Sequence, residues 1–256
     1  LEFNERLFTQ GISTANFNEL QQQTLVSGVN YQRNWNQKLT TEIHYGNSTY
    51  KANSQTTEVE QANQTAQKNQ VEEQSQKFDT SYEITDQVCL EAGFQYTSTM
   101  IDNTDTLYNT TTIPRSSKTG ITNGFYLQTT AQLFDNKTVV SVGARATNLS
   151  NFDAQIEPRI TISQRLKKHW NVFLSSEKKH QNVLQFTANE NQFLGIQNKQ
   201  WILADGVQNP LLKSNQVSFG SEYGLKNWTI NTELFYKKVR GINTRNQGFR
   251  NQLQNL

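Results

Sequence analysis

The sequence predicts an all-β protein: an antiparallel transmembrane β-barrel with short periplasmic turns and long extracellular loops. Three observations predict it. Apolar and polar side chains alternate along segments of roughly 9 to 13 residues, the length of a tilted membrane-crossing strand and about twice that of an ordinary one. Tight turns and long polar connections alternate between those segments. Aromatic residues, tryptophan above all, stand at strand ends beside the tight turns. The stretch LKNWTINTELFYKKVRGI (225–242) shows the first and third together. Lys226 and Asn227 form a turn, after which Trp228, Ile230, Thr232, Leu234 and Tyr236 alternate with Thr229, Asn231, Glu233, Phe235 and Lys237. Successive strand side chains point to opposite faces, so this period of two is strand spacing.

The remaining strands follow in hairpins. TLVSGVNYQR (24–33) turns through NWNQ into KLTTEIHYGNSTY (38–50). KFDTSYEI (77–84) turns through TDQ into VCLEAGFQYTSTM (88–100), and GFYLQTTAQLF (124–134) through DNK into TVVSVGARATN (138–148). QIEPRITISQRL (155–166) turns through KKH into WNVFLSSEKKH (170–180), and NQVSFGSEYGL (215–225) leads into the stretch quoted above. Segments 51–76, 101–123 and 181–214 read as long loops rich in Asn, Gln, Thr and Ser, with 149–154 a short exception. A rim of tight turns opposite a rim of long loops is the pattern of an outer-membrane barrel.

Composition agrees. Hydrophobic residues make up 34% of the 256 and aromatics 11%, with a mean hydropathy of −0.75. A disordered chain would share the polarity without the aromatics and the alternation. No run approaches the ~20 apolar residues of a membrane helix. A net charge of +2, with basic residues dispersed along the sequence, argues against a nucleic-acid surface. LEFNERLFTQ (1–10) lacks the basic start and apolar core of a secretory signal. Cys89 is the single cysteine, which excludes an intrachain disulfide and a cysteine zinc site and reads as an inert packed thiol.

The two faces of each strand differ in a telling way. Ile156, Pro158, Ile160, Ile162 and Leu166 oppose Glu157, Arg159, Thr161, Ser163 and Arg165. Val140, Val142, Ala144 and Ala146 oppose Ser141, Gly143 and Arg145. A face bearing Glu157, Arg159 and Arg165 is costly in a dry core, where unpaired ions cost several kcal/mol. It suits a wet lumen, with the apolar face against lipid. Trp35, Trp170, Trp228 and Phe134 then form one aromatic girdle, and Tyr45, Tyr50, Tyr96 and Tyr236 the other.

Two stretches and a short motif carry a family resemblance. AQIEPRITISQRLKKHWNVFLSSEKKHQ (154–181) resembles the Glu-Pro-Arg strand, turn and Trp-led return strand of TonB-dependent outer-membrane receptors. NPLLKSNQVSFGSEYGLKNWTINTELFYKKVRGINTRNQGF (209–249) resembles a later hairpin of the same barrels, and SVGARAT (141–147) their G-x-R strand. The Asn- and Gln-rich loops are similar to those of the Bacteroidetes branch. The match runs over roughly 120–250, while 1–120 fits as generic barrel strands. The resemblance implies a barrel of about 22 strands preceded by a plug domain. It further implies import of a scarce nutrient, such as a ferric siderophore, powered by the TonB complex acting through that plug. About ten strands are legible, eleven if LEFNERLF (1–8) is one. Residues 1–256 are accordingly expected to be one barrel segment, without plug or TonB box, in the bacterial outer membrane. Its partners would be outer-membrane lipid, the TonB complex and, as an optional further partner, a surface lipoprotein; no nucleic acid is expected.

Enzyme chemistry finds little footing. His44 shares a polar face with Glu42, His169 lies in a turn, and His180 ends a strand near Glu177 and Lys178. A ten-stranded outer-membrane protease would place such Asp and His residues at the rim of the lumen, but no second acidic pair with a His at a matching height is legible, and G-x-S-x-G is absent. The acidic segments 58–64 and 71–74 lack a calcium-loop register. No catalytic residue, metal site or cofactor is therefore expected. The alternatives are that small enzyme barrel, or a passive porin or adhesin. If the chain binds a ligand, the long loops should do it. Their aromatics and arginines are the candidates: Tyr108, Arg115, Phe193, Trp201, Arg245, Phe249 and Arg250. Such side chains dominate recognition hot spots, and arginine suits an anionic chelate.

Overall fold

A computed structural model of the chain describes residues 2–9, 12–58, 63–107, 111–187, 199–207 and 209–242. All the regular structure described is β. In chain order the strands are β1 (Glu2–Thr9), β2 (Ile12–Asn34), β3 (Leu39–Glu58), β4 (Asn63–Thr85), β5 (Val88–Leu107), β6 (Thr111–Leu133) and β7 (Thr138–Leu149). There follow β8 (Gln155–Lys167), β9 (Trp170–Gln181), β10 (Val183–Thr187), β11 (Lys199–Leu203), β12 (Leu212–Leu225) and β13 (Trp228–Arg240). Eleven of these form one antiparallel sheet in the order β1-β2-β3-β4-β5-β6-β7-β8-β9-β12-β13, and β10 and β11 form a separate hairpin. Every step is to a sequence neighbour except β9 to β12, where the β10–β11 hairpin is inserted. The strand read provisionally over 1–8 is present as β1. Among the described residues β1 and β13 are the two edges, and the sheet is not closed.

The tight turns fall where the sequence puts them. Lys137 N donates to Phe134 O at 3.1 Å, and Phe134, Asp135 and Asn136 all take positive φ. Lys226 does the same at the β12–β13 turn. Left-handed turn residues match the right-handed twist of a hairpin, which accounts for Asn and Asp in these turns.

Two of the predicted long loops are instead strand. β2 to β6 run for 20–23 residues, about twice a membrane crossing. Residues 51–58 and 63–76 continue β3 and β4 in unbroken register from Tyr50↔Val71 to Glu58↔Asn63. Residues 101–107 and 111–123 continue β5 and β6 to Leu107↔Thr111, with one register shift at Asn103/Thr104. In these extensions polar side chains stand on both faces, so backbone pairing persists without an apolar face. The Asn-, Gln- and Thr-rich sequence therefore gives no alternation to read. The third segment, 181–214, contains the β10–β11 hairpin.

Burial is inverted relative to a soluble sheet. Phe125 is 62% exposed, Leu127 55%, Val142 50% and Leu234 69%, whereas the side chains of Asp79 and Glu157 are 15% and 14% exposed. Polar side chains two strands apart touch one another: Tyr126 on β6 bonds Asp79 on β4, and Arg145 on β7 bonds Gln95 on β5. Such contacts require the sheet to curve around its charged face. The register confirms one continuous apolar face, with Ile43 beside Phe78, Phe78 beside Phe94, Phe94 beside Phe125, and Leu174 beside Phe219 beside Leu234. At the tight-turn end Trp35, Trp170, Trp228 and Phe134 are all exposed. The opposite girdle needs one correction. Tyr45 lies on the apolar face, but Tyr50 falls five residues on and so shares the polar face with Glu42 and His44; Gln22 Nε2 donates to its hydroxyl at 3.2 Å.

Candidate functional site

The concave face carries a belt of ionic and amide side chains across β2 to β9. Its centre is a cross-strand square. Glu42 stands directly opposite Asp79, and His44 opposite Lys77. Two facing carboxylates repel, and the neighbours offset this. Lys77 Nζ lies 2.7 Å from Asp79 Oδ2, Tyr126 Oη donates to Asp79 Oδ1 at 2.5 Å, and Asn30 Nδ2 donates to Glu42 Oε1 at 2.8 Å. His44 Nε2 is 3.2 Å from Glu42 Oε1 and 4.0 Å from Asp79 Oδ2. Sequence reasoning paired His44 with Glu42 but missed Asp79. It sits 35 residues away, and only the β3–β4 register reveals it. Glu42, His44 and Asp79 have the donor types of a cation site, yet Lys77 already supplies a positive charge to Asp79.

The belt continues through Gln128 Nε2 donating to Glu91 Oε2 at 2.8 Å and Arg145 Nη2 donating to Gln95 Oε1 at 3.1 Å. Arg159 lies over the Tyr126 ring, 5.7 Å from its centroid. Glu157 Oε1 accepts from the His180 backbone N–H at 2.7 Å and lies 3.1 Å from His180 Nδ1. Lys77, Glu91, Tyr126, Arg145, Glu157 and Arg159 line a groove of about 400 Å³. Gly93 is what lets Tyr126 lie flat across this face, since a Cβ there would collide with the ring and with Asp79. Cys89 is on the same face, its Sγ 3.2 Å from Ser81 Oγ.

Above the belt, the β10–β11 hairpin folds onto the concave side of the β4–β6 extensions. Asn103 Nδ2 donates to Trp201 O at 2.8 Å, Lys118 Nζ lies 3.2 Å from Asp205 Oδ2, and Asn182 Nδ2 donates to Thr122 Oγ1 at 3.2 Å. Gly120 leaves room for Leu203, whose Cδ2 would meet an added Cβ at 3.0 Å. Beneath and beside the hairpin lie most of the buried apolar residues described: Ile101, Leu149, Leu184, Leu203, Ala204 and Leu211. Leu203→Ala should remove about 2 kcal/mol or more of this docking. Hydrogen exchange across 199–207 should then rise by more than tenfold while the belt stays protected; unchanged exchange would mean that the hairpin is held by other contacts.

The structure places only part of the expected ligand set. Trp201 is on β11, half-buried, paired with Gln185. Arg115 is on β6 between Pro114 and Ser116, at the register shift opposite Asn103 and Thr104. Tyr108, Phe193, Arg245, Phe249 and Arg250 lie outside the described residues. The belt was not singled out for ligand contact, although its alternating charges over 155–166 are legible.

No family model matches the chain, and no curated protein sequence matches it. Solved structures do. The siderophore receptor PirA from Pseudomonas aeruginosa aligns over 93% of this chain and 51% of its own, at 11% identity and a TM-score of 0.53. The ferric citrate transporter FecA in its unliganded form aligns over 89% of this chain and 35% of its own, at 14% identity and a TM-score of 0.56. The RagAB peptide transporter aligns over 89% and 30%, at 11% identity and a TM-score of 0.51. The chain thus has an antiparallel β fold shared with a siderophore receptor, a ferric citrate transporter and a peptide transporter. It spans about a third to a half of the length of these structures.

Proposed function

We propose that the chain is a segment of the β-barrel of a TonB-dependent outer-membrane receptor, of about 22 strands and of the Bacteroidetes type, importing a scarce nutrient such as a ferric siderophore. The observation that carries the reading is the inverted sheet. Its exposed convex face is apolar and ends in tryptophans, and its curved inner face holds paired ions. Only a lipid exterior and a wet interior make both faces favourable. The fold shared with siderophore receptors and a peptide transporter supports the functional half. On this reading a plug domain outside residues 1–256 couples the barrel to TonB, with a surface lipoprotein as an optional partner. Tyr108, Arg115, Phe193, Trp201, Arg245, Phe249 and Arg250 are the proposed ligand contacts.

Energised uptake tests it. Cells whose iron supply depends on the full-length protein should lose uptake of the cognate ferric chelate when the inner-membrane proton gradient is collapsed. Uptake that persists would make the barrel a passive pore. Sidedness is a separate prediction. In a Cys89→Ser background, Ser117→Cys should label with a membrane-impermeant maleimide on intact cells and Asn136→Cys should not. Ser117 is on the β6 extension and Asn136 in a tight turn. Labelling of Asn136→Cys would invert the topology and remove the ligand-loop assignments.

A further inference from the structure

The basic residues look dispersed along the sequence, but the fold gathers some of them. Three tight turns stand side by side at one rim: β6–β7, β8–β9 and β12–β13. Backbone hydrogen bonds tie each to the next. Arg165 N donates to Lys137 O at 2.7 Å, and Gly224 N donates to His169 O at 2.8 Å. Residues 134–137, 165–169 and 225–228 carry Lys137, Arg165, Lys167, Lys168 and Lys226, all exposed, against Asp135, which lies 4.0 Å from Lys137 Nζ; Glu222 and Glu233 share a cavity with Lys137 and Arg165, away from Lys167, Lys168 and Lys226 in the turns. The whole chain has a net charge of only +2, so this rim concentrates its positive charge.

The same rim carries the exposed aromatics Phe134, Trp170 and Trp228. The register shift between Arg165 and Lys167 matters here. Without it Lys167 would follow Arg165 onto the charged face; with it, Lys167 pairs with Trp170, on the face of Ile162 and Leu174. Trp170 Nε1 is already satisfied by Ser221 Oγ at 2.7 Å, which fixes the ring at the rim. Cations beside amphipathic rings at the edge of an apolar face match an anionic phospholipid: phosphate on the lysines, glycerol and upper chain on the rings.

We infer that this rim is a binding site for anionic phospholipid headgroups, of the phosphatidylglycerol or cardiolipin class, in the periplasmic leaflet of the outer membrane. The inference rests on the membrane reading above and adds a lipid class and named residues to it. Lys137, Lys167, Lys168 and Lys226 supply the charge, and the inter-turn hydrogen bonds hold them together without prior ordering. An acidic protein partner would use the lysines but would leave the exposed rings of Phe134, Trp170 and Trp228 without a role.

The full-length protein, extracted from outer membranes in mild detergent, should carry anionic phospholipid well above its share of the bulk extract. Each lysine should contribute roughly fivefold to retention. A Lys137→Gln/Lys167→Gln/Lys168→Gln/Lys226→Gln variant should therefore lose the enrichment, and the corresponding Lys→Arg variant should keep it. The enrichment should also fall as salt is raised in the extraction buffer. The Lys167→Gln/Lys168→Gln pair gives the same readout should the fourfold variant fail to assemble. Lipid in bulk proportion, or enrichment unchanged in either Gln variant, would overturn the inference. Its failure is distinct from that of the membrane reading, which the Asn136→Cys labelling tests without reference to lipid class.

Discussion

Val142→Arg should block assembly of the barrel, whereas Ser141→Ala should leave it nearly intact. Val142 is 50% exposed on the apolar face and lies between Thr129 and Ile160. If that face meets hydrocarbon, arginine near the bilayer midplane costs roughly 2–4 kcal/mol. The folding equilibrium should shift by about thirtyfold to a thousandfold. Ser141 is one residue away on the other face, where its Oγ lies 2.8 Å from Thr130 Oγ1. Losing that hydrogen bond should cost only about 1 kcal/mol. The measurement is the fraction of heat-modifiable, folded protein in the outer membrane. Equal tolerance at the two positions would overturn the face assignment.

Residues 1–256 expressed alone should aggregate, or associate into ill-defined oligomers in detergent. Among the described residues the open sheet leaves β1 and β13 with no strand on their outer sides. β13 presents a 13-residue edge with Leu234 and Tyr236 exposed beside it. In hydrocarbon each unsatisfied amide costs several kcal/mol, and in water such an edge recruits another strand. A monodisperse, heat-resistant monomer would show instead that the eleven strands close on themselves, and the small-barrel alternatives would return.

Strand identity and facing were legible within the apolar band because two environments act on alternate residues there. Ile156, Ile160 and Ile162 against Glu157, Arg159 and Arg165 leave little choice of register. Outside the band that signal vanishes. Gln67, Asn69 and Val71 pair in β4 as regularly as Phe78 does, but with polar residues on both faces there is no alternation to read. Reading those stretches as loops followed from equating order with apolar periodicity. Tyr50 was misplaced for the same reason, its face being set by counting from Tyr45 and not by its chemistry. The polar belt was half legible. Glu157, Arg159 and the Glu42–His44 pair stand out in the sequence, whereas Asp79 and Tyr126 join them only through cross-strand register and sheet curvature.

The β10–β11 hairpin leaves the sheet between β9 and β12 and returns to lie on β4, β5 and β6. It is therefore a chord across an arc. A flat sheet cannot accept such a tie, because Leu203 reaches Gly120, and Asn182 reaches Thr122, only when the intervening strands bend toward each other. The curvature of this stretch of wall is thus set in part from within, by β10, β11 and the residues beside them. A wall tied in this way carries its own bow, whatever its two outer strands pair with.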